Sequence, residues 1–142
     1  MSVYLSLDPV SAAVFTTLNV SAVTTLAPGG VCDDVAQSTG YPFVLYEVAE
    51  RFVGGMGMKP GTAGRLMEVD LRLHVFSQYQ GFIEAQQVMA AAIQLLADPP
   101  TVTGYSSWAI THDETIPIGD SIVAGLKVKE LVGLFRLYVQ ES

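Results

Sequence analysis

Few side chains in this chain are able to do chemistry, and their spacing decides which chemistry is open to them. The soft or borderline metal donors are Cys32, His74 and His112, and the one dense cluster is His112-Asp113-Glu114. A metal site needs several donors that converge on one point. Neighbouring residues on a strand point to opposite faces, so this triplet reads as a solvated strand end or turn, and no metal site is assigned. His74 falls in the polar row of an alternating stretch and reads as a surface or interface histidine rather than a general base. Cys32 stands beside Asp33 and Asp34, whose negative field disfavours the thiolate that a nucleophile needs. It reads as an inert thiol. There is no Gly-x-Ser-x-Gly elbow, and no catalytic residue or cofactor is assigned.

Two further groupings have chemistry-like spacing. The glycine-rich run from Gly54 to Gly64 carries Lys59. A phosphate loop needs Ser or Thr after its lysine, a strand before it and a helix after it. Here Pro60 follows, and both flanks read as strands. The stretch reads instead as a flexible hairpin over residues 53–64, or as a contact arm that orders against a neighbour, with Met56, Met58 and Lys59 as its docking residues. Glu68 and Asp70 lie two apart on one strand face, roughly 7 Å from each other. Arg72 on the same face offsets them. The pattern reads as a solvated face or as the lining of an oligomer's channel.

The elements that position these groups are readable from periodicity. Asp8-Pro9 marks a helix start, because Asp caps free backbone N–H groups and Pro at the first helical position loses nothing. Val10, Val14 and Leu18 then share one face. A short edge strand is expected at 31–35, and a strand at 43–52 after Tyr41-Pro42. Residues 65–77 alternate strictly, with Met67, Val69, Leu71, Leu73 and Val75 on one side and Glu68, Asp70, Arg72 and His74 on the other. A helix follows over 81–96 with Phe82, Ala85, Met89, Ala92, Ile93 and Leu96 as its apolar stripe. Asp98-Pro99-Pro100 ends it. Strands are expected at 107–112 and 130–139, and residues 116–128 read as either a hairpin arm or an irregular loop. Alternation on the central strand favours antiparallel pairing. The fold class is α+β, an antiparallel β-sheet with helices packed on one face, in a single domain spanning 1–142.

Composition points to contacts with other chains. Charged residues make up 15% of the sequence, against about 25% in typical soluble domains. Hydrophobic residues make up 50%, and mean hydropathy is +0.40. A lone subunit of this kind would show much apolar surface to water, and partner subunits would cover it. Net charge is −7 and uneven, since Asp8, Asp33, Asp34, Glu47 and Glu50 all precede the first basic residue, Arg51. That argues against conventional DNA binding, which needs basic surfaces. An acidic surface near DNA would let it pass without sticking. The single cysteine rules out an intrachain disulfide. The N-terminus lacks the basic region of a signal peptide. No run approaches the roughly 20 apolar residues of a membrane span. A soluble, non-secreted protein is expected.

Four features together resemble the tail-completion proteins of long-tailed phages and gene transfer agents, also described as tail terminator or tail-to-head joining proteins. They are the early helix from Pro9, the turn before Tyr41-Pro42-Phe43-Val44, the strand through Val69 to Ser77, and Gly81-Phe82 with Glu84-Ala85 opening the helix that ends near Leu96. The match runs from about Asp8 to Leu96, with a looser echo at Trp108 and in the last strand. The resemblance implies an α+β subunit of a hexameric ring that caps the finished tail tube. The ring would present a surface to the connector or neck of the filled head, with DNA passing through its lumen. It implies no enzymatic activity and no cofactor. The implied partners are copies of the chain, the major tail tube protein and the connector, with no membrane. The implied location is the virion's tail end or neck, after assembly in the bacterial host cytoplasm. A head-closure protein or a tube subunit is the alternative. On this reading Glu68 and Asp70, with Glu47 or Glu50, face the channel or a subunit seam. Six copies of −7 would give the ring a charge of −42.

Overall fold

The computed structural model describes residues 8–34, 40–54, 66–123 and 125–141. The expected docking residues Met56, Met58 and Lys59, and the 53–64 hairpin from residue 55 onward, lie outside them. The element order is α1 (Asp8–Leu18), α2 (Ser21–Thr24), β1 (Val31–Cys32), β2 (Phe43–Gly54), β3 (Leu66–Ser77), α3 (Ile83–Leu95), β4 (Tyr105–Val123) and β5 (Leu126–Glu141). The five strands form one sheet in the order β1-β2-β3-β5-β4. Every pairing is antiparallel except that of β1, which runs parallel to β2 through Val31↔Val44 and Cys32↔Leu45. The sheet is therefore mixed at one edge. At that edge β1 and β2 run the same way.

The alternation read along β3 sets the layers. Met67, Val69, Leu71, Leu73 and Val75 are all buried against one helical layer. Each fully buried aliphatic side chain contributes about 1.5–3 kcal/mol, so this row fixes the register of the central strand. From α1, the expected Val10, Val14 and Leu18 are buried, joined by Ala13. From α3, Ala85, Met89, Ala92 and Leu96 are buried as expected, and Val88 with them. α1 lies over β1 and β2, and α3 over β3 and β5. β5 gives Leu131, Phe135, Leu137 and Val139 to the same core.

Two glycines hold close approaches. A Cβ on Gly133 would meet the Met89 Sδ at 2.8 Å, so the missing side chain lets α3 settle onto β5. A Cβ on Gly29 would sit 2.1 Å from the Gly40 carbonyl oxygen and 2.8 Å from that of Pro42. There the Gly29 N–H donates to Pro42 O at 3.0 Å and the Val44 N–H to Gly30 O at 2.9 Å. These bonds stitch the turn before β1 to the start of β2. Pro42 itself follows a cis peptide bond.

The segment 116–128 resolves as a hairpin arm. β4 pairs with β5 from Tyr105↔Glu141 to Val123↔Leu126, with register shifts at Ser107/Ala109, His112/Glu114 and Pro117/Gly119. β4 is an edge strand, so Pro117 can sit in it, and the bulges bend and twist it.

Candidate functional site on the helix-free sheet face

The register places the polar row of β3 in the middle of a face that no described helix covers. Directly opposed residues share a face, and the rows can be read across four strands. Leu45, His74, Val132 and Ile116 form one row, and Glu47, Arg72, Leu134 and Glu114 the next. Ala49, Asp70, Arg136 and Thr111 form the third. Glu68 follows with Tyr138. Of the acidic residues singled out in the sequence, the sheet brings Glu47, Glu68 and Asp70 onto one face. Glu50 pairs with Val69 and so belongs to the opposite face, where its side chain is exposed.

Two charged clusters are built on this face. In the first, His74 bridges two carboxylates across three strands. Its Nδ1 lies 2.6 Å from Glu130 Oε2, and its Nε2 contacts Glu47 Oε1. The ring thus ties a carboxylate on β2 to one on β5 through the central strand. The Ser121 hydroxyl donates to the other Glu130 oxygen at 2.7 Å. His74 is thus a cross-strand clasp. Its Nδ1 and Nε2 are both occupied, which leaves no free nitrogen for a general base.

The second cluster centres on Arg136. Its Nε is 3.1 Å from Glu68 Oε1, and one terminal nitrogen is 3.6 Å from Asp113 Oδ2. The Nε–H points off the Glu68 oxygen, so that contact is ionic rather than a formed hydrogen bond. A hydrogen bond with Tyr138, then the charges of Asp113 and Glu68, push the Arg136 pKa above its ordinary value against the opposing effect of burial. Asp113 reaches this cluster because the bulge at His112/Glu114 re-aims it. The sequence triplet is thereby split. Asp113 turns to Arg136, while His112 bonds the Thr115 hydroxyl at 2.8 Å and packs on Phe135 with ring centroids 4.8 Å apart. Among the described residues the cation in contact with Glu68 is Arg136 from β5, a partner that same-strand reasoning about Arg72 could not reach.

At one end the face turns apolar. Cys32, Phe43, Phe76 and Val128 form a small buried cluster, with Phe43 and Phe76 stacked at 5.0 Å. The Cys32 thiol is within 3.6 Å of Val44 O as a weak donor. Burial first, then Asp33 and Asp34, raise its pKa, against a backbone hydrogen bond at Asp34 that lowers it. Among the described residues no group of three or more His, Cys, Asp or Glu side chains is placed to hold a metal ion. No described helix is long and apolar enough to cross a membrane.

The face therefore carries Glu47, Glu68, Asp70, Asp113, Glu114 and Glu130 against Arg72 and Arg136, with His74 clasped between two of the acids. Four of those carboxylates, on Glu47, Glu130, Glu68 and Asp113, are engaged with His74 or Arg136 across strands. This is the surface of a structural subunit. The comparisons with known proteins agree. The chain matches the family model described as Tail completion protein gp17 over residues 12–116, and it belongs to that family of tail structural proteins. Among solved structures it is similar to a chain of the virion of a native gene transfer agent (GTA) particle. That similarity has a TM-score of 0.72 at 17% sequence identity, and covers 95% of this chain and 99% of the other. At that identity the likeness speaks for the fold. No curated protein sequence matches the chain.

Proposed function

We propose that this chain closes into a hexameric ring that caps the phage tail tube and forms the tail side of the head–tail joint, with DNA passing through its lumen. The observation that carries the reading is the helix-free acidic face on a chain of the tail-completion family. A sheet face of fixed carboxylates repels the phosphate backbone, and so suits a wall past which DNA slides. Glu47, Glu68 and Asp70 are assigned to that wall or to the seam beside it. The chain acts without enzymatic activity, through contacts with its own copies, the major tail tube protein and the connector. It works at the tail end or neck of the virion, and assembles in the host cytoplasm.

The glycine-rich arm with Met56, Met58 and Lys59 is assigned to docking against a neighbour. Electron microscopy of particles assembled without the chain tests the assignment. The expected result is DNA-filled heads and separate tails. Joined, infectious particles would refute it. Microscopy of the purified chain separates the alternatives, since a tube subunit grows long polymers and a cap stops at rings. A chain that bound only the head connector would be a head-closure protein.

A further inference from the structure

We infer that the tip of the β4–β5 hairpin of one copy docks on the α1–α2 edge of the next, so that the subunits join head to tail. The inference rests on the ring reading and names the two halves of its seam. Ser77 pairs with Lys129, the last residue of β5 that β3 reaches. The hairpin beyond it, including Ile122 paired with Lys127, overhangs the sheet. Ile122 is 78% exposed and Ile118 is 52% exposed. Tyr79, also exposed, lines the notch between this tip and the segment that follows β3.

The large exposed apolar side chains among the described residues fall into two groups. One is this tip with Tyr79 and Ile83, and the other is Phe15, Val20 and Leu26 on α1 and around α2. In the second group Phe15 lies on α1, which packs on β1 and β2 at the end of the sheet order opposite β4, and Val20 and Leu26 flank α2, which contacts α3.

Charge selects the occupant. At the tip, Lys127 and Lys129 share one carboxylate, Asp120, at 3.2 and 2.7 Å. Two ammonium groups on one anion leave the tip net positive, on a chain whose net charge is −7. The α1–α2 edge has the opposite sign. It lies in the first fifty residues, which contain no Lys or Arg, and the exposed Asp33 and Asp34 stand beside β1. Two tips meeting about a two-fold axis would set lysine against lysine, and two α1–α2 edges would set acid against acid. Tip on edge pairs apolar with apolar and positive with negative. That contact is heterologous, and it closes into a ring when its rotation closes.

The test is cross-linking between two variants of the full chain, Ile122→Cys and Leu26→Cys, with buried Cys32 shielded from the reagent. Each variant alone and an equimolar mixture are treated with a short bis-maleimide. Rings are followed by electron microscopy, both free and on tails completed with the same mixture. Covalent dimers in the mixture, and in neither variant alone, are expected. Ile122→Asp is expected to leave the thermal midpoint unchanged while weakening ring association by roughly 30-fold or more, as loss of an apolar anchor does. Rings without mixed dimers, or dimers of Ile122→Cys with itself, overturn this seam and leave the ring standing. Absence of rings both free and on tails overturns the ring reading and the seam together.

Discussion

Single residues carry two requirements that unfolding and labelling measurements can check. The backbone atoms 2.1–2.8 Å from a Cβ on Gly29 cannot retreat without breaking the stitch between the loop and β2. Gly29→Ala is expected to cost about 3 kcal/mol, at the upper end for overpacking. Gly133→Ala meets the flexible end of Met89 and is expected to cost about 1 kcal/mol. Denaturant unfolding of both variants checks the order, and equal losses would refute it. Cys32 gives the second requirement. Burial and the adjacent aspartates raise its pKa, so the thiolate is scarce at neutral pH and forms only as pH rises past the ordinary thiol value. Iodoacetamide should modify the folded chain far more slowly than the urea-unfolded chain, and comparable rates would contradict this placement. The aspartate effect was legible in the sequence because it acts between neighbours. The hydrogen bond from Cys32 to Val44, and the clasp of Glu47 and Glu130 on His74, were not. They join residues 12, 27 and 56 positions apart, and only strand pairing brings those together.

The elements were legible in proportion to how regular their periodicity is. β3 and α3 follow from strict alternation and a helical stripe, because one face of each is buried and the other is not. In the sequence the stretch 116–128 fits both a hairpin arm and a loop, because Pro117 and Gly119 break the pattern. The structure accommodates both at a bulge on an edge strand. The parallel sense of β1 was not readable from two residues. The hairpin also has an electrostatic element of its own. Hydrogen bonds from Lys129 first, then Lys127, hold the Asp120 carboxyl below the ordinary carboxylate range. A depressed acid contributes its pairing fully above the unfolded pKa and loses it as pH falls through the folded one. The tip is therefore expected to stay paired at neutral pH and to loosen only in acid below about pH 4, the ordinary aspartate value. In an NMR titration the amides of Ile122 and Lys127 should shift with a midpoint below that value. Asp120→Asn should remove the transition, and its persistence in that variant would show that another group is responsible.

At the scale of the whole molecule, the structure concentrates negative charge on one sheet face, and the physical question is what that charge does. Glu68→Lys would set a cation against Arg136, which lies 3.1 Å from the Glu68 carboxylate, and so would mix a folding defect with any effect on DNA. The paired change Glu68→Gln with Asp70→Asn removes two charges with almost no change in shape. A thermal midpoint close to that of the parent chain would show that the fold is intact. If the face lines the lumen, the neutralised ring still assembles and joins heads to tails, but passing DNA meets two fewer repelling charges per subunit. Ejection should then slow, most at low ionic strength. The difference should shrink as salt rises, because the Debye length falls from roughly 30 Å at 0.01 M to about 8 Å at 0.15 M. Ejection timed by dye uptake across a salt series measures this directly. If the variant and parent particles released DNA at equal rates even at low salt, Glu68 and Asp70 would lie away from the DNA path, and the acidic face would belong to a protein–protein seam.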